Sequence, residues 1–267
     1  MAVVLAVALV VFWVTRTGSN EAEGGDRIDH VHGLGVNPAN SELYAAAHNG
    51  VFRVGGGGKA QRVGDGEQDT MGFTIVGADH FLGSGHSAPG TGGPANLGLI
   101  ESTDGGKTWK TVSLENQADF HALRFRHGKV YGYNAGQLMV SDDKQTWDTR
   151  SQVALRDFVI SPSDPDTLVA SGEQGLMRST DGGRTWSEGG ATVMLLDWLA
   201  DDQLWAVGVN GEVMRSADGG ANWSNLGTVT GQATVFAAHD RALYVATQDG
   251  RIQRSTDSGK TWDALYS

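Results

Sequence analysis

Hydrophobic and polar positions alternate with period two along nearly the whole chain after residue 29, in short runs set apart by glycine-containing turns. Period two places alternate side chains on opposite faces, so the pattern predicts short β-strands with one buried face. The clearest runs are residues 42–47, 80–84, 129–133, 167–171, 203–207 and 242–246. A glycine turn leads into a further run at Gly50-Val51-Phe52, Gly175-Leu176-Met177, Gly211-Glu212-Val213 and Gly250-Arg251-Ile252.

The runs recur on a fixed period. The segment S-T-D-G-G-K-T-W at 102–109 returns almost unchanged at 179–186 and 255–262, and in altered form at 216–223 and 141–147. Its closing tryptophans, Trp109, Trp147, Trp186, Trp223 and Trp262, lie 38, 39, 37 and 39 residues apart. A unit of about forty residues holding four short strands, named A to D from the inside outwards, predicts an all-β propeller with one blade per unit. From His30 to Ser267 there is room for six such blades, the first with 55–59 where its segment would stand. A five- or seven-bladed closure stays open, because the chain starts on an inner strand and ends on an outer one, with no strand exchange to seal the ring. The expected organisation is an N-terminal signal or membrane anchor over 1–16, a polar linker over 17–29 and the propeller over 30–267.

Composition narrows the function classes. With 39 glycines against 5 prolines and 19% charged residues, the chain is turn-rich and modestly charged. A formal net charge of -11 without a Lys/Arg cluster argues against nucleic acid, whose phosphates need a basic patch. Cysteine is absent, which removes disulfides, thiolate metal sites and cysteine nucleophiles. Residues 2–14 form an unbroken apolar run followed by Thr15, Arg16 and a polar spacer. The run predicts export to the extracytoplasmic face of the membrane, anchored there or released by cleavage, although it is shorter than a full span and lacks a basic n-region.

The motif S-x-D-x-G-x-T-W resembles the Asp-box, or bacterial neuraminidase repeat, of sialidase-like propellers. That resemblance implies that each box is a C-to-D turn, with the aspartate accepting bonds from the turn's own amides and the tryptophan packing between blades. Glycines such as Gly105 and Gly106 suit the positive φ of such a turn. The segments His30-Val31-His32-Gly33-Leu34-Gly35, Gly83-Ser84-Gly85-His86 and Phe120-His121-Ala122-Leu123 also resemble exported bacterial propellers labelled as glycosylhydrolases. The boxes themselves specify fold and not activity.

In a propeller the D-to-A and B-to-C connections share one face and the boxes occupy the other. One register at the start of strand A reads His32, Met71, His121, Arg156, Leu195 and Val235; two positions earlier it reads His30, Asp69, Asp119, Ala154, Val193 and Ala233. The B-to-C turns supply His48, His86, Asn134, Glu173, Val209 and Gln248. Five of the eight histidines (His30, His32, His48, His86 and His121) thus fall on the face without boxes, while His80, His127 and His239 fall on the other. Imidazoles with the thioether of Met71 suit a transition metal, copper before zinc, and Asp69 and Asp119 suit the role of fixing imidazole tautomers.

Two other classes compete with a metal-binding or small-ligand-binding propeller. Resemblance to sialidases implies a glycoside hydrolase with three converging arginines, a tyrosine nucleophile assisted by a glutamate, and an aspartate acid/base. Only Arg156 starts an A strand, since Arg53, Arg178, Arg215 and Arg254 share one position of strand C, and the family's arginine-isoleucine-proline motif is missing. For a hydrolase the candidates are Asp69, Asp119, Glu173 and Tyr133, with Asp157 also on the right face. The third class is a scaffold or assembly factor docking a membrane-protein partner.

Overall fold

The computed structural model describes residues 26–267, and the apolar run with its expected anchor lies outside the described residues. Among the described residues, 24 strands form six four-stranded antiparallel sheets, each a meander in chain order, and there is no helix. The six inner strands, Val31–Asn37, Asp69–Gly77, Ala122–Arg126, Asp157–Ile160, Val193–Ala200 and Ala233–His239, each meet the next around an axis, and the last meets the first. This settles the blade number at six.

No strand is exchanged at the seam between the sixth blade and the first. Side chains close it instead: Ile28, Val31, Leu43 and Phe52 join Ala246 and Ile252 in one buried cluster, flanked by Leu265 and Tyr266. The Ile28 amide donates to Tyr266 Oη at 2.9 Å, and the Gly58 amide donates to Leu265 O at 3.1 Å. The glycine loop 55–59 therefore docks on the preceding outer strand, as a box would. Residues 26–29, read from sequence as linker, are folded against the first blade: the Asp26 amide donates to Ala60 O, and Asp26 Oδ2 accepts from the Arg62 amide.

The boxes are self-contained hydrogen-bonded turns. Asp104 accepts from the Thr108 amide at 2.9 Å and the Thr108 hydroxyl at 2.6 Å, while Ser102 Oγ accepts from the Gly106 amide at 2.9 Å. Gly105 and Gly106 sit at φ 75° and 90°. The same bonds recur around Asp181 and Asp257, and Asn222 replaces the threonine beside Asp218. Two of the boxes also grip the blade before them through a serine hydroxyl. Ser113 Oγ donates to Lys144 O and accepts from Trp147 Nε1, and Ser151 Oγ donates to Gly183 O and accepts from Trp186 Nε1. Polar contacts between blades thus accompany the apolar ones.

Hydrogen bonds from the residue four positions on hold the carboxyls of Asp104, Asp218 and Asp257 below the ordinary 3.8, at about 2. A depressed folded value means the ionised carboxylate stabilises the fold above the unfolded value, a contribution lost as pH falls through the folded one. The melting midpoint is expected to drop between about pH 4 and pH 2, more steeply in the native chain than in an Asp257→Asn variant. Calorimetry across that window checks it; parallel curves for the two proteins would contradict the assignment.

Candidate functional site

The axial mouth opposite the boxes is a cavity of about 110 Å³. All six residues of the predicted A-strand register, His32, Met71, His121, Arg156, Leu195 and Val235, line it. The mouth is unevenly built, with imidazole and thioether side chains from blades one to three, and Arg156 with two apolar side chains from blades four to six.

His30, His32 and His48 converge at one side. Their ring nitrogens include a set lying within 4.8 Å of one another, and the centroids of His32 and His48 are 4.5 Å apart at an interplanar angle of 88°. His30 and His32 project from the first inner strand and its approach; His48 comes from the adjoining B-to-C turn, whose amide donates to Asp29 O and His30 O. These bonds hold His30 at φ 29°, a sparsely populated backbone region.

Asp69, from the next blade, completes this corner. Its Oδ2 lies 2.8 Å from His48 Nδ1, while its Oδ1 stands 3.7 Å from His32 Nε2, beyond hydrogen-bond reach. The carboxylate thereby fixes the orientation of the His48 ring. Both His32 Nε2 and Asp69 Oδ1 are buried without a hydrogen-bond partner. Burial, together with the imidazoles of His48, His30 and His121, pushes His32 from 6.5 down to about 3. A neutral ring with an unclaimed nitrogen is what a metal ligand requires.

His86 and His121 do not join that corner but meet around Asp119. Asp119 Oδ2 lies 2.7 Å from His121 Nε2 and 3.2 Å from His86 Nε2. His86 opens the loop 87–96, which is tied at its base by His86 Nδ1 to Ala95 O at 2.9 Å and by Ser87 Oγ to Pro94 O at 2.7 Å. Five of the six predicted ligands therefore form two groups one blade apart, and the sixth, Met71, lines the cavity together with His32 and His121.

The other predicted site residues have different surroundings. Tyr133 Oη donates to Val153 O at 2.9 Å and Glu173 is exposed in the fourth blade's turn. Arg124 and Arg156 are the two arginines lining the mouth among the described residues. On the opposite face His80 pairs with Glu101 and His127 with Ser161 O. From the mouth inwards lies a polar knot of which the sequence marked Asp157 and neither Arg124 nor Asp197. Asp157 Oδ1 accepts from Arg124 at 2.6 Å and its Oδ2 from the Leu196 amide at 2.8 Å, while Asp197 Oδ2 accepts from the Ala238 amide at 2.7 Å. Protein encloses Asp197 although part of it reaches the channel, and that desolvation raises its carboxyl above the usual range. A carboxylate inside the apolar run Leu195-Leu196-Asp197-Trp198 was the available signal.

Fold and mouth together define a six-bladed, all-β propeller with a histidine-rich axial face. Within its repeats, residues 100–111 and 177–188 match the family model described as "BNR/Asp-box repeat". No curated protein sequence matches the chain at a significant level. Among solved structures it is similar to a GH74 xyloglucanase from Xanthomonas campestris, at 18% identity and TM-score 0.59 over 89% of this chain and 38% of that one. The chain thus spans well under half of that enzyme. It is similar also to a chain of the Nidogen/Laminin complex, at 10% identity and TM-score 0.66 over 85% of this chain and 93% of that one. A third is YCF48 bound to D1 peptide, at 14% identity and TM-score 0.54 over 91% and 82% respectively. At such identities the likeness is one of fold.

Proposed function

We propose that this protein is a metal-binding propeller that holds a transition-metal ion, copper by preference, at the axial mouth through His30, His32 and His48. The observation that carries the reading is the convergence of three imidazoles within 4.8 Å, one of them with a buried, unpartnered nitrogen. Asp69 orients His48, and Met71 supplies a thioether nearby, a donor that favours copper over zinc. Binding or handling of the ion is preferred to catalysis. The apolar run at 2–14 supports an extracytoplasmic, membrane-tethered setting for this role. A glycoside hydrolase has less support, because Asp69 and Asp119 are each engaged by imidazole, Asp157 in the mouth by Arg124, and Tyr133 by a backbone carbonyl.

The full chain is expected to bind copper stoichiometrically in calorimetric titration. His32→Ala and His48→Ala should each weaken binding by at least the 10- to 100-fold typical of losing an outer-shell partner, and Met71→Leu should weaken copper(I) more than zinc. Absence of binding at micromolar copper overturns the reading.

A further inference from the structure

We propose that the half of the mouth built by blades four to six is a site for a short aliphatic carboxylate, with the anionic head on Arg156 and the tail in an apolar pocket between the fifth and sixth blades. The inference goes beyond the metal-binding role and does not rest on it.

Its first support is a charge without a partner. Asp69 and Asp119 are engaged by imidazole and Asp157 by Arg124, whereas the guanidinium of Arg156 makes no hydrogen bond or ion pair among the described residues. Arg156 is exposed at the rim and lines the axial cavity. A guanidinium presents a planar fork of donors that matches the two oxygens of a carboxylate, so an organic anion is the chemistry this position suits.

The second support is an apolar pocket beside it. Val209 is 55% exposed, the one large hydrophobic side chain so exposed among the described residues, and it holds the turn position that His48, His86, Asn134, Glu173 and Gln248 fill with polar groups in the other blades. With Met194, Leu195 and Val207 it lines a cavity of about 260 Å³. That lies just below the roughly 300–1,000 Å³ of drug-sized ligand sites and restricts the tail to a few carbons. Leu195 lines the axial cavity as well, so the two spaces adjoin. Strand pairing sets Arg156 next to this pocket. Leu168 and Leu204 both pair with a box serine, so Ser171 and Val207 are equivalent, and their partners Asp157 and Leu195 are preceded by Arg156 and Met194 at neighbouring places on the ring. Met194 is the extra residue of a β-bulge, a device that re-aims a side chain. The Arg156 amide donates to Ser171 O at 2.7 Å and Ser171 Oγ donates to Met194 O at 2.9 Å, so one serine ties the two places together.

Titration of the full chain with hexanoate in the presence of EDTA, followed by ligand-observed NMR, tests this; the chelator keeps any metal ion from holding the carboxylate. Affinity is expected to rise by about fourfold per methylene from butanoate to hexanoate. The neutral isostere hexanamide is expected to bind about tenfold more weakly than hexanoate. Arg156→Gln should weaken hexanoate by about tenfold and leave hexanamide unchanged, while Val209→Ser should weaken both alike. Both side chains are exposed, so the melting midpoints should stay native. No hexanoate binding at millimolar concentration, equal affinities for hexanoate and hexanamide, or native hexanoate affinity in Arg156→Gln overturns the site. Native hexanoate affinity in Val209→Ser overturns the placing of the tail. Copper binding without EDTA is scored separately, and its absence overturns the metal reading alone.

Discussion

Changing Gly227 to alanine is expected to lower the melting midpoint by about 6–12 °C, the shift that about 3 kcal/mol of overpacking produces in a domain of this size. Gly227 lies in the outer strand Ser224–Thr228 of the fifth blade. A Cβ there would stand 1.8 Å from the carbonyl oxygen of Gly259 in the sixth blade's box and 2.4 Å from its carbon. The obstructing atoms are backbone, so no side chain can swing aside. Strand pairing puts Gly227 opposite Val213, three residues before the box serine, as Ser113 and Ser151 are placed opposite Leu99 and Leu138. Where those serines reach out to the following box with a hydroxyl, the fifth and sixth blades meet backbone to backbone. Gly56→Ala, with nothing within 4 Å of its Cβ, serves as the control. A Gly227→Ala midpoint matching that control in calorimetry would refute the close-contact account.

Arg124→Met should destabilise the fold by about 1.5–3 kcal/mol near neutral pH, the range for losing a charge-assisted hydrogen bond from a part-buried ion pair. The guanidinium lies 2.6 Å from Asp157, whose side chain is only 10% exposed, and it also attracts Asp197. Without it two carboxylates of neighbouring inner strands face each other across the channel with backbone amides as their main remaining support. The sign at Asp197 follows from its raised carboxyl: its proton is held more tightly in the folded state, so its charge weighs against folding once pH exceeds the folded value. Asp197→Asn retains an acceptor for the Ala238 amide and discards the charge. Added to Arg124→Met, it should therefore restore part of the lost stability. Urea unfolding of the single and double variants measures both effects, and a single variant within about 1 kcal/mol of native, below the expected loss, would remove Arg124 from this role.

Much of the architecture could be read without coordinates because the boxes act as rulers. Trp109, Trp147, Trp186, Trp223 and Trp262 set a common phase, and that phase marked six of the residues lining the mouth, His32, Met71, His121, Arg156, Leu195 and Val235. It could not show which side chains touch. Whether His48 reaches Asp69, and His86 reaches Asp119, depends on the stagger between neighbouring blades, which leaves no trace in the spacing within any one repeat. For that reason six candidate ligands looked like one set, of which five separate into two groups. Arg124 stands one position past Leu123 on an inner strand, and nothing in the local alternation marks it. Its partners, Asp157 and Asp197, come from the next two blades, 33 residues on in the case of Asp157. The seam was hidden for a related reason, since Ile28 and Tyr266 are 238 positions apart and meet only once the ring is complete.

That seam has a topological consequence. Because no sheet is shared across it, each blade is a closed cassette, and the two ends of the folded region lie side by side where the Ile28 amide meets Tyr266 at 2.9 Å. A short linker joining those ends would let the chain be reopened between any other two blades. Such circular permutants would keep every strand pairing while moving the histidine-bearing blades from the beginning of the polypeptide to its middle or its end.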